Sequence, residues 1–180
     1  MAELTPELQI AIRTALDEAQ HRHQEFAGTE RLLLALLCDT VTARAVRRCG
    51  CNVENLKSQL DEFLRESIPR VPEHMSVESA ASVGFHAAIQ RAVMNAQSSE
   101  RHLVAGPHVL IAMYALEDCH AVYLLNSQGV GRLDIMEYIS HGGWLEDDFD
   151  DDSGYEDFAE GEGAFANGCE SDEMGPDQAL

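Results

Sequence analysis

At 180 residues, with 45% hydrophobic and 24% charged residues, the chain has room for one packed domain and a tail. Its 32 acidic and 12 basic residues give a formal charge of −20, but 14 of the acidic residues lie between Glu146 and Leu180, a stretch without Lys or Arg, so residues 1–145 carry only −6. That balance excludes nucleic acid as the main partner, because phosphate-backbone affinity needs cations that displace condensed counterions.

The N-terminus, MAELTPELQIAIRTALDEAQ, places acidic residues early and lacks the basic-then-apolar order of a signal peptide. Helical spacing begins there, with Leu8, Ala11, Ile12, Ala15, Leu16 and Ala19 recurring at three and four residues along one stripe. The segment His21-Arg22-His23 follows. On a continuing helix its two histidines point about 200° apart and do not share an ion, and at a helix C-terminus the local negative potential favours them without a metal. His21 and His23 are therefore only weak metal candidates, and no cofactor is expected.

Thr29 reads as the N-cap of a second helix opening at Glu30. That helix contains the longest apolar run, Leu32–Cys38, roughly a third of the ~20 residues a bilayer-spanning helix needs. The run belongs in a core, and no membrane is expected; the setting is cytoplasmic. Arg44, Arg47 and Arg48 form the tightest basic cluster, have no stacking aromatics beside them, and read as a solvated helix face. Cys49-Gly50-Cys51 lacks the second pair of a zinc ribbon and the two-residue spacer of a thioredoxin-like motif, and reads as a helix end with Gly50 at the turn. With Cys38, Cys119 and Cys169 the count is five, which suits reduced thiols and no structural disulfide. Asn52 caps a further helix carrying Val53, Leu56 and Leu60. From Ser67 to Ser82, Pro69, Pro72 and short polar residues predict an exposed connector.

Beyond the connector the pattern repeats at an offset of 77 residues: Ile12 falls on Ile89, Ala15 on Ala92, Ala19 on Ala96, Gln20 on Gln97 and Ala35 on Ala112. Apolar character carries over as well, with Leu8 on Phe85, Phe26 on Leu103, Leu32, Leu33 and Leu34 on Val109, Leu110 and Ile111, Val53 on Val130 and Leu56 on Leu133. Gly106 before Pro107 is a matching helix start, and Gly129 or Gly131 breaks the chain where Asn52 caps. The expected fold is all-α: two tandem four-helix repeats, about 4–67 and 79–140, packed on one another as one pseudo-twofold globule over residues 1–143. After Ile139 the pattern stops at Ser140-His141-Gly142-Gly143. Residues 144–180, acidic and rich in Gly, are expected to be a disordered tail or linker, with Trp144, Phe149, Tyr155, Phe158 and Phe165 as an alternative short binding motif.

Recognisable catalytic motifs are missing. There is no GxxxxGK[ST] phosphate loop, and the single lysine, Lys57, sits in NVENLKSQL without the glycines that expose backbone N–H groups. There is neither a GxSxG nucleophile elbow nor an HExxH zinc helix. Glu25 and Glu30, with Arg22 and Arg31 nearby, read as exposed ends of two helices or as a partner contact.

The segments HRHQEFAGTERLLLALL, AAIQRAVMNAQSSERHLVAGPHVLIAMY and AVYLLNSQGVGRLDIMEYISHG resemble the duplicated N-terminal domain of ClpA-type unfoldases, over roughly residues 4–143. Both repeats are present in order, with the QSS turn at Gln97–Ser99 and the RLD helix start at Arg132–Asp134. The resemblance implies a non-catalytic docking domain tethered to an AAA+ ring that threads proteins into ClpP, with protein substrates and the adaptor ClpS as partners. It carries Glu25, Glu30, Ser82 and Arg91 over as adaptor contacts. The nucleotide-binding modules expected after the acidic linker are not in this sequence, so the chain is a fragment or a free-standing paralogue that competes for adaptor and restrains degradation. A small metal- or thiol-dependent enzyme using His21/His23 or Cys49/Cys51 is the competing class.

Overall fold

A computed structural model describes residues 1–142, and the acidic segment 144–180 lies outside the described residues. In chain order the elements are β1 (Glu3–Leu4), α1 (Pro6–His21), β2 (Phe26–Ala27), α2 (Thr29–Leu36), α3 (Thr40–Arg48), α4 (Val53–Glu66), β3 (Ala80–Ala81), α5 (Val83–Ser98), β4 (Leu103–Val104), α6 (Gly106–Met113), α7 (His120–Ser127) and α8 (Arg132–Ser140). The architecture is the expected all-helical double repeat, with four two-residue strands that the helical periodicity did not reveal.

Each copy opens in the same way. Thr5 Oγ1 accepts from Leu8 N at 3.3 Å, Pro6 presets the first turn of α1, and Leu8, Ala11, Ala15 and Ala19 form its buried stripe. Ser82 Oγ accepts from Phe85 N at 3.2 Å and α5 buries Phe85, Ala88, Ala92 and Ala96. Alanine stripes let α1 lie close along α2, and α5 along α6.

The copies interlock. α3 packs on α6 and α8 of the other copy, and α7 packs on α2 and α4. The strands cross over too, in parallel pairs of β1 with β4 and β2 with β3. One pseudo-twofold relation generates both exchanges, because β1 and β3 hold matching places in the two copies, as do β2 and β4.

Two helix starts differ from the sequence reading. The N-caps are Gly28 and Ala105, so Thr29 and Gly106 are the first residues inside their helices. Thr29 is buried at the junction and its hydroxyl faces the other copy, where Cys119 Sγ lies 3.5 Å from Oγ1, so it is turned away from its own helix N–H groups. In α6 the cap is supplied from inside the helix: His108 Nδ1 accepts from Ala105 N at 2.9 Å.

The repeat offset also slips. The C-caps Leu37 and Tyr114 stand 77 apart, but the N-caps Asn52 and Gly131 stand 79 apart, because the α6–α7 connection is longer than the α2–α3 one. Leu56 therefore corresponds to Ile135, which is equally buried, and Leu133 is left 76% exposed. The connector from Ser67 to Ser82 is irregular until β3, yet it is fastened to the end of α1. Ser79 N donates to Gln20 Oε1 at 2.7 Å, Val71 N donates to His23 O at 2.7 Å, and Gln20 Nε2 donates to Val77 O.

Gly106 packs directly against Thr42 at the junction. A Cβ at Gly106 would run into Thr42 Oγ1 and lie 3.1 Å from Thr42 Cβ, and Thr42 is held in place by a 2.7 Å bond to Asp39 Oδ2. Gly106→Ala is expected to cost about 1–3 kcal/mol by overpacking, read as a lowered midpoint in urea unfolding, and Thr42→Ser in the same chain should not relieve it because the clashing oxygen remains.

His108 is buried, and burial together with the nearby positive charge of Arg101 pushes its pKa down from 6.5 to about 4. The folded state therefore excludes a proton that the unfolded chain accepts. Stability should fall as pH drops from about 6.5 towards 4, by at most about 3 kcal/mol from this group. Thermal melts across that range should show a shallower slope in His108→Gln, which keeps a capping acceptor but does not titrate.

Candidate partner-docking site

The β2–β3 pair is where the two copies meet at the surface, and three of the four expected contact residues gather around it. Glu25 O accepts from Ala80 N at 3.0 Å and Ala27 O accepts from Ser82 N at 2.9 Å, which fixes the end of α1 against the start of α5. Ser82 caps α5 at this place, and Gly84 brings the first turn of α5 against Thr29, whose Cγ2 would lie 3.2 Å from an added Cβ. Glu30 stands in the first turn of α2, with Oε2 folded over Gly28 so closely that a Cβ there would lie 2.8 Å away. A carboxylate at that end of a helix is favoured by the helix dipole. Arg91 is exposed, but sits nine residues beyond Ser82 on α5, about 13 Å further along the axis. The fold does not bring it to the other three.

Two residues of this surface were missed by the sequence reading. Phe26 is 51% exposed and Val83 87% exposed, on the strand and helix turn that flank Glu25, Glu30 and Ser82. Matching Phe26 to Leu103 was a usable signal: both lie outside the helices, and Leu103 is exposed as well. Large apolar residues preserved in both copies away from any helical stripe need not be core.

Arg22 and Arg31 behave differently from each other. Arg22 is half-exposed and pairs with Asp61 at 3.1 Å and with Glu18 at 3.9 Å. Arg31 is 2% exposed, so it is not an exposed helix end as the sequence suggested. Its Nη2 donates to Gln24 Oε1 at 2.6 Å, and Gln24 Nε2 donates on to Leu64 O at 3.3 Å. Burial first, and the Arg22 charge second, lower the pKa of its guanidinium.

His21 and His23 straddle the end of α1. His21 Nδ1 is 2.8 Å from Asp17 O, and His23 has left the helix at φ 52°. Among the described residues no group of three His, Cys, Asp or Glu side chains is arranged to hold a metal. Cys49 and Cys51 flank Gly50, whose φ of 88° makes the turn the sequence predicts. Burial, with Asp134 and Cys51 nearby, pushes the Cys49 thiol up to about 11, and burial raises Cys51 as well. Thiols raised in this way are poor nucleophiles at neutral pH. No helix among the described residues is long and apolar enough to cross a membrane.

This architecture recurs in solved structures. The Hsp104 N-terminal domain from Candida albicans superposes with a TM-score of 0.65 at 19% identity, over 79% of this chain and 93% of that one. The N-terminal domain of ClpD from Arabidopsis thaliana gives 0.57 at 15% identity, over 78% and 94%. That of ClpV1 ATPase from E. coli gives 0.60 at 18% identity, over 77% and 84%. At such identities the likeness is one of fold, and it defines a class of doubled helical N-terminal domains. Sequence narrows it: residues 3–128 match the Clp repeat (R) N-terminal domain family, and a ClpA homolog protein from Fuscovulum blasticum is 35% identical over 136 residues. The chain belongs to the Clp repeat N-terminal domain family. The matched region is 75% of this chain and 17% of that ClpA homolog.

The thiol environments give a direct check. Iodoacetamide at pH 8 should alkylate exposed Cys38 well before Cys49 and Cys51, as followed by peptide mass spectrometry. Fast labelling at Cys49 and Cys51 would return thiol chemistry to consideration.

Proposed function

We propose that this chain is the adaptor- and substrate-docking domain of a ClpA-type AAA+ unfoldase. In this reading residues 1–143 bind ClpS and protein substrates in the cytoplasm and deliver them to the AAA+ ring, and through it to ClpP, without chemistry of their own. The observation that carries it is the surface at the β2–β3 pair, where exposed Phe26 and Val83 lie beside Glu25, Glu30 and Ser82 on a junction both copies build. Apolar anchors beside charged groups suit protein partners, the apolar part supplying affinity and the charge supplying orientation. The 35% identity to a ClpA homolog directs the choice among unfoldases. The absence of a phosphate loop from the sequence and the raised thiols support a non-catalytic role. Arg91 remains a proposed contact only for a partner wide enough to span from β3 along α5.

Calorimetric titration of the full chain with ClpS from the same source tests the proposal. Saturable one-to-one binding is expected, and Glu30→Arg should weaken it by about 1.5–3 kcal/mol, the range for a charge-assisted hydrogen bond. No heat and no saturation would remove ClpS and leave direct substrates as the ligands; unchanged affinity in the variant would remove Glu30.

A further inference from the structure

The second copy contains a recess that the first copy fills. In the first copy Arg31, Gln24 and the Arg22–Asp61 ion pair occupy the space between α1, α2 and α4, and α4 runs on to Glu66 to cover it with Leu64. At the matching places the second copy has His108, Arg101, Ser99 and Ser140, and α8 ends at Ser140. The result is an open recess of about 290 Å³ between α5, α6 and α8.

Its chemistry is one-sided. Among the described residues Arg101 and Arg132 line it, no Asp or Glu does, and neither arginine makes an ion pair. The apolar part is formed by Ala92, Ile111 and Ile139, with Met136 partly exposed beside them. Ligand pockets for cofactor-sized molecules span roughly 300–1,000 Å³, so this recess is at the lower limit and suits one or two side chains.

We propose that this recess binds a linear peptide in which a carboxylate side chain neighbours a large apolar one. The carboxylate meets Arg101 and Arg132, whose planar guanidinium groups match its geometry, and the apolar side chain covers Ile111, Met136 and Ile139. The serines of the rim, Ser99 and Ser140, stand where the first copy has the Arg22–Asp61 ion pair. The site shares no residue with the Glu25, Glu30 and Ser82 surface and does not rest on the adaptor reading.

Chemical-shift titration of the ¹⁵N-labelled full chain tests it, with the capped peptide acetyl-Gly-Leu-Glu-Phe-Gly-amide and its Gln counterpart as probes. Capping leaves the side-chain carboxylate as the only anion. Saturable shifts at Arg101, Arg132 and Ser140 are expected with the Glu peptide, with affinity at least fivefold above the Gln peptide and falling in 0.5 M salt. Ser99→Arg/Ser140→Asp, which installs the first copy's pair, should abolish those shifts, whereas Glu30→Arg should leave them unchanged. Equal affinity for Glu and Gln peptides, or shifts confined elsewhere, would overturn the proposal. So would a phosphoserine peptide that binds more than tenfold tighter than the Glu peptide, by assigning the recess to phosphate. The Glu-to-Gln comparison needs no protein variant, so a variant that fails to fold does not rescue the idea.

Discussion

Everything in this domain depends on the exchange of third helices between its two copies. α3 lies on α6 and α8, and α7 lies on α2 and α4, so neither copy closes its own core. The apolar stripes of α2 and α6 are consequently buried from both sides, with Leu32, Leu33, Leu36, Leu110 and Met113 inaccessible. Removing water from those side chains is worth about 1.5–3 kcal/mol each, and most of that gain exists only when the copies are together. The copies should therefore fold as one cooperative unit. The tolerance at the crossing is small on the side where Gly106 meets Thr42, and wider on the other, where Thr29 faces Cys119.

Interlocking also creates the surfaces. Because β2 pairs with β3 across the copies, the end of α1 and the start of α5 are held together, and residues more than 50 apart in sequence share one patch. Glu25 and Glu30 from one copy thus stand beside Ser82 and Val83 from the other. A partner docking there contacts both copies at once, so its binding is coupled to the integrity of the junction.

The two copies have diverged most where they no longer need the same filling. In the first, a buried arginine donates to Gln24, which donates in turn to the Leu64 carbonyl in the last turns of α4. In the second, histidine takes that position, is held uncharged by burial, and uses its ring to cap α6 instead. The last helix is shorter, and Arg101 and Arg132 line the recess beside it. The same scaffold thereby carries an acidic and apolar surface at one place and a basic recess at another.

The sequence by itself determined that there are two copies, that both are helical, that Asn52 caps α4, and that no phosphate loop is present in it. Repetition at 77 residues and stripes at three and four residues are one-dimensional facts, legible without coordinates. Of the proposed site, Ser82 and Arg91 entered only through family resemblance, Glu25 and Glu30 also as one reading of two helix ends, and the fold sets Arg91 apart from the other three. Only the tertiary structure decided that the third helices exchange, that Leu133 is exposed and Ile135 takes its place, that Phe26 faces solvent, and that Arg31 is buried. The physical reason is that a helical stripe records which residues share a face but not which helix, or whether any helix, covers it.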